Sequence, residues 1–109
     1  ITYISNDIGW CDDIISQHYN KQINIQKIPN ARHESLLRND NVYDIIIEIE
    51  YNQKPIIRGK GSAIFIHCSF FDARPTQGCL AMQKKDLIFI LKNLKNYSFV
   101  VISWYLLAQ

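Results

Sequence analysis

Isoleucine recurs at every second position from Ile45 through Ile47 to Ile49, with Tyr51 next in phase and Ile46, Glu48 and Glu50 between. A period of two predicts a strand over Asp44–Tyr51 with one buried and one mixed face. Asn52-Gln53-Lys54-Pro55 follows as turn chemistry, and Gly59-Lys60-Gly61-Ser62 as a hinge. The run Ala63-Ile64-Phe65-Ile66-His67 predicts a short buried strand ending on a histidine. Asp72, Pro75 and Gly78 then mark Ser69–Gly78 as a loop. From Lys84 the period lengthens: Leu87, Ile90, Leu91 and Leu94 fall on one helical face, with Lys84, Lys85, Lys92, Asn93 and Lys95 towards water. Ser98–Tyr105, rich in aromatic and β-branched residues, predicts a closing strand. The first forty residues carry weaker patterns, with strands at Tyr3-Ile4 and Ile23–Ile28 and one helical turn at Glu34–Arg38. The expected fold is mixed and mainly β, with one or two short helices, the main one near the C-terminus.

Length and composition narrow the class. The chain has 109 residues, enough for one domain, and its 48% hydrophobic and 20% charged content suits a folded core. Twelve Lys and Arg against ten Asp and Glu leave +2, too little to point to a nucleic-acid partner. The apolar stretch Phe99–Ala108 is broken by Ser103 and is shorter than the ~20 residues of a membrane span, so none is expected. The sequence opens on Ile1-Thr2-Tyr3 with no basic leader. Residues 1–109 are therefore expected to be a single domain, either freed of a leader or forming the C-terminal part of a longer chain.

Cysteine usage directs attention to one loop. Cys11, Cys68 and Cys79 are an odd set without a C-x-x-C pair, and His18, His33 and His67 are scattered, so no metal is expected. A Cys11–Cys68 disulfide is one option, and a lone reactive thiol is the other. Cys68, between Ile66 and Phe70, reads as a small core residue. His67 closes the buried strand, and Cys79 follows Gly78 on the returning loop. An imidazole fixed by a sheet can take a thiol proton. A glycine ahead of the sulfur lets the amides of Gln77, Gly78 and Cys79 converge on a developing oxyanion. This pattern points to Cys–His acyl transfer, with a core cysteine and a satisfied strand-end histidine as the alternative.

The segments Gly61-Ser62-Ala63-Ile64-Phe65-Ile66-His67 and Pro75-Thr76-Gln77-Gly78-Cys79-Leu80-Ala81-Met82, with Asp86-Leu87 behind them, resemble the catalytic core of the L,D-transpeptidase family of peptidoglycan cross-linking enzymes. The likeness is to a short-loop branch reading G-S-x-I-F-x-H and P-T-x-G-C-x-A. It extends upstream through Gly9-Trp10-Cys11-Asp12-Asp13, Tyr19-Asn20, His33-Glu34, Leu37-Arg38, Tyr43-Asp44 and Tyr51-Asn52. The resemblance implies a β-sandwich, with family strands ahead of Gly9 missing from this chain. It implies Cys79 as nucleophile forming a thioester with a tetrapeptide stem, and His67 as general base and acid. Gly78 and Gln77 would lie in the oxyanion hole, and the carbonyl of Cys68 or Ser69 would orient the histidine.

The same likeness implies substrate contacts from Thr76. Arg74 could take a stem-peptide carboxylate or be a solvated loop arginine, and Tyr51-Asn52 could be turn chemistry or cleft lining. Asp72 could orient His67 or cap the loop, His33 reads as a surface or capping residue, and Asp12-Asp13 as a solvated turn pair. Gln77 stands where better-known members carry a second histidine, and Ala81 where they carry Asn or Arg. The expected activity is an L,D-transpeptidase-type cysteine transferase on peptidoglycan stem peptides, without cofactor, in the periplasm or cell envelope. The alternatives are an L,D-carboxypeptidase or other hydrolase with the same pair, and a non-catalytic wall-binding module.

Overall fold

Six short strands and one helix form among the described residues, 2–70, 74–95 and 98–101 of a computed structural model. One sheet joins β1 (Ile8–Cys11), β2 (Gln22–Asn24) and β3 (His33–Ser35) in the order β2-β1-β3, all antiparallel. The other joins β4 (Ile46–Glu48), β5 (Phe65–Cys68) and β6 (Leu80–Met82), with β4 antiparallel and β6 parallel to the central β5. Helix α1 (Lys84–Asn93) follows directly. The arrangement is mainly β with one short helix, as the hydrophobic pattern predicts.

Alternation on β5 assigns its side chains to two cores. Ile66 and Cys68 face α1 and cluster with the fully buried Leu87, joined by Ile45, Ile47, Leu80 and Met82. Phe65 points the other way, into a cluster with Trp10, Leu36, Val42, Tyr43 and Ala63 that links the two sheets. Trp10 and Phe65 meet edge to face at 5.0 Å. Leu87 is the one α1 side chain that is fully buried. Leu87→Ala should therefore cost about 2–5 kcal/mol, read as a lower urea midpoint at unchanged slope.

Several expectations are corrected. Glu34–Arg38 is not a helical turn: its first two residues belong to β3, where Glu34 pairs with Trp10 and Ser35 with Gly9. Tyr3-Ile4 forms no strand, and the Ile23–Ile28 strand ends at Asn24, whose carboxamide oxygen accepts the Gln26 and Lys27 amides and turns the chain. The Asp44–Tyr51 strand shrinks to three residues because Glu50 and Asn52 take positive φ, 55° each, ending the extended run. Ser98–Val101 joins no sheet, and the remainder of the expected closing strand lies outside the described residues.

No disulfide forms: all three cysteines are free, Cys11 in the first sheet and Cys68 against the helix. Strands β1 and β6 carry no expectation from local pattern. At Gly9 of β1 a Cβ would approach Ile25 Cγ1 to 2.8 Å and the Glu34 carbonyl to 3.0 Å, so the crossing requires glycine.

Candidate active site

Strand register brings the histidine and the loop cysteine to one sheet face. His67 pairs with Ala81 of β6 and Ile46 of β4, and Cys79 lies two residues before Ala81, level with Phe65. Phe65, His67, Cys79 and Ala81 thus share the face opposite to Ile66, Cys68, Leu80 and Met82. One strand across and two residues along is about 8 Å between Cα atoms.

The histidine is anchored at one nitrogen. Its Nδ1–H donates to the Cys68 carbonyl at 2.7 Å. A carbonyl can only accept, so Nδ1 carries a proton, and in the neutral ring Nε2 is then the nitrogen with the lone pair. A main-chain acceptor here occupies the place that a carboxylate takes in a Ser–His–Asp arrangement. The ring is 3% exposed, with Tyr43 at 5.5 Å and Phe70 at 6.4 Å, both edge to face.

Cys79 is half-buried and is placed by the turn before it. Gly78 adopts φ +102°, a conformation that side chains disfavour, and a Cβ there would meet Ile64 Cδ1 at 3.0 Å. The Thr76 hydroxyl donates to the Cys79 carbonyl at 2.6 Å. Thr76 therefore shapes the turn rather than offering its hydroxyl outward. Gln77 and Gly78 are exposed, and their amides hold no acceptor among the described residues.

The sulfur is engaged by the neighbouring strand. Sγ accepts the Phe65 N–H at 3.3 Å and donates its proton to the Ala63 carbonyl at 3.1 Å. Burial pushes the thiol pKa up, the Phe65 amide opposes this, and the Glu34 carboxylate adds to it. The resting group is a thiol, and forming a thiolate takes a base.

No family model, curated protein or solved structure matches this chain.

Other residues singled out by sequence fall in different places. Arg74 lies over the Phe70 ring at 4.8 Å, on the rim beside His67. Tyr51 is fastened to the Gly59–Ser62 hinge, its hydroxyl donating to the Lys60 carbonyl at 2.9 Å, and it lines a cavity of about 160 Å³ with Trp10, Ile64 and Phe65. His33 Nδ1–H donates to the Ala31 carbonyl, 2.8 Å away, which satisfies it locally. The Asp13 carboxylate accepts the Ile15 and Arg32 amides, while Asp12 pairs with Arg32 at 3.4 Å, so both tie a corner. Among the described residues no group of three or more His, Cys, Asp or Glu converges as a metal site. Asp72 lies outside the described residues.

Two neighbours of the site have no role in the sequence-based reading. Tyr43 packs against both His67 and Phe65, and its hydroxyl donates to Glu34 Oε1 at 2.5 Å. Tyr43 and Phe65 also wall a groove of about 860 Å³ that follows β4 from Asp44 to Glu48. The sequence motif His33-Glu34 … Tyr43-Asp44 contains both residues, but nothing in their spacing reveals that they reach the histidine.

Proposed function

We propose that this chain is a cysteine acyltransferase of the L,D-transpeptidase type, acting on peptidoglycan stem peptides in the periplasm or cell envelope. The observation that carries the reading is the shared sheet face of His67 and Cys79, with the His67 tautomer locked so that Nε2 is the free nitrogen. The exposed, unpartnered amides of Gln77 and Gly78 beside the sulfur support it further.

The steps follow from these groups. Sγ leaves the Ala63 carbonyl and passes its proton to His67 Nε2 while bonding to the carbonyl carbon of a stem peptide. The oxyanion is met by the Gln77, Gly78 and Cys79 amides. Collapse breaks the C–N bond to the terminal residue, and His67 returns the proton to the departing amine. A thioester on Cys79 remains. An amine from a second stem then gives up its proton to His67, bonds to the thioester carbon and expels the sulfur, which takes that proton back. Water in place of the amine makes the same chain a hydrolase. Arg74 on the rim suits the substrate carboxylate, since a guanidinium binds it through two parallel hydrogen bonds. No cofactor enters any step.

The thiol's engagement by Ala63 and its raised pKa favour a second reading, a wall-binding module that retains the fold without turnover. Intact-mass measurement after incubation with a tetrapeptide stem separates the two. The acyltransferase reading expects a single acyl adduct that is absent in Cys79→Ala. Transfer yields cross-linked or exchanged product, and hydrolysis yields only the trimmed stem. Absence of any adduct, together with unchanged wall binding in Cys79→Ala, supports the module instead.

A further inference from the structure

The Nδ1 bond to Cys68 fixes one point of the His67 ring, and a single point leaves the ring free to tilt. Its second constraint is an aromatic edge, Tyr43 at 5.5 Å and 70°. That edge is itself held. The Tyr43 hydroxyl donates to Glu34, and Arg38 lies over the Tyr43 ring at 5.1 Å while pairing with Glu34 at 3.6 Å. Asp40 grips the Arg38 guanidinium at Nε and Nη2, and its Oδ1 accepts the Val42 amide at 3.2 Å. The Val42 carbonyl then accepts the Cys68 N–H at 3.0 Å, one residue past the histidine. The contacts form a closed circuit that leaves β5 at Cys68 and returns to it at His67.

We propose that Tyr43 and Glu34 are positioning residues for His67, the Tyr43 ring setting the tilt of the imidazole and the Glu34 side-chain oxygen, as acceptor of the Tyr43 hydroxyl, setting the Tyr43 ring. This rests on the acyl-transfer reading, because a tilt matters only if Nε2 must meet Sγ. Two further features fit the role. Burial, and then the Glu34 carboxylate, push the Tyr43 phenol far above its ordinary range, so it stays a neutral donor and the link to Glu34 persists across working pH. The circuit also uses three residues, Glu34, Arg38 and Tyr43, whose sequence motif has no other assignment in the site. Misplacing a catalytic group by a fraction of an ångström to an ångström costs one to two orders of magnitude in rate.

Two isosteric variants test this without disturbing the packing. Tyr43→Phe keeps the ring and cuts its tether, while Glu34→Gln keeps an acceptor for the hydroxyl. The probe is iodoacetamide at pH 7.5, where Cys79 is the half-buried thiol and Cys11 and Cys68 are buried. Tyr43→Phe should slow alkylation of Cys79 about tenfold, and on a tetrapeptide stem should lower kcat with KM unchanged. Glu34→Gln should react at least as fast as the parent, because the tether remains and a charge that opposes the thiolate is gone. His67→Gln is the benchmark and should be slower than either. If His67→Gln is slow while Tyr43→Phe matches the parent, the positioning role fails and the dyad stands. The role also fails if Glu34→Gln, which keeps the tether, is slowed as much as Tyr43→Phe. If His67→Gln itself reacts normally, the acyl-transfer reading fails first.

Discussion

Cys79→Ser should reduce turnover on a tetrapeptide stem by roughly 10⁴–10⁶-fold, an effect comparable to loss of a nucleophile in a protease triad. The substitution preserves size and the hydrogen bonds to Phe65 and Ala63, so the fold should be intact. What changes is the acidity of the attacking group. Burial already pushes the thiol up, yet a serine hydroxyl lies several units higher still, and an imidazole is too weak a base to bridge that gap. His67→Gln should lose roughly 10²–10⁴-fold, the usual contribution of a positioned general base. Mass-spectrometric product counts, taken alongside thermal melts matching the parent, check both. Turnover by Cys79→Ser within tenfold of the parent would rule the sulfur out as nucleophile.

Asn20→Leu should be the most damaging single change to stability. Asn20 is 2% exposed and takes φ +58°, a region where asparagine is tolerated and a bulky side chain is not. Its oxygen accepts the Trp10 indole N–H at 3.0 Å, and its amide donates to the carbonyls of Tyr51 and Asn52 at 3.1 and 2.8 Å. One side chain thus ties β1 to the turn that follows β4. Leucine strands the indole donor and both carbonyls at about 1–3 kcal/mol per orphaned group, and adds about 1–3 kcal/mol of backbone strain. A loss of about 4–12 kcal/mol reaches the whole stability of many domains of this size. The expected readout is a melting point lower by roughly 15–30 °C, or a chain unfolded at room temperature. Asn20→Gly, which removes the hydrogen bonds without the strain, should fall between leucine and the parent. Equal losses in the two variants would mean that backbone conformation contributes nothing.

Local pattern and tertiary contact divide the rest. Leu87 and its neighbours repeat at helical spacing and α1 forms over Lys84–Asn93, but of that repeat only Leu87 is buried against Ile66 and Cys68, while Leu91 and Leu94 stay exposed. The alternation around Ile46 and the apolar run ending at His67 likewise mark strands, since period two needs no partner to be legible. Glu34 fails this test: with Ser35 and Leu36 it resembles a helical turn, and only Trp10 across the ladder makes it a strand. Leu80–Met82 has no pattern of its own and becomes a strand only because β5 pairs with it in parallel, across a connection that no short-range rule anticipates.

For the site, residue types alone state the chemistry: an imidazole at the end of an apolar run and a thiol behind a glycine. Side-chain chemistry is a property of single residues, so it can be read one residue at a time. Tertiary structure alone decided that His67 and Cys79 share a face, that the Cys68 carbonyl rather than a carboxylate holds Nδ1, and that Thr76 turns inward to the Cys79 carbonyl. It alone brought Tyr43 to the imidazole and Glu34 to the Tyr43 hydroxyl, because those contacts depend on strand register and ring geometry between segments far apart in the chain.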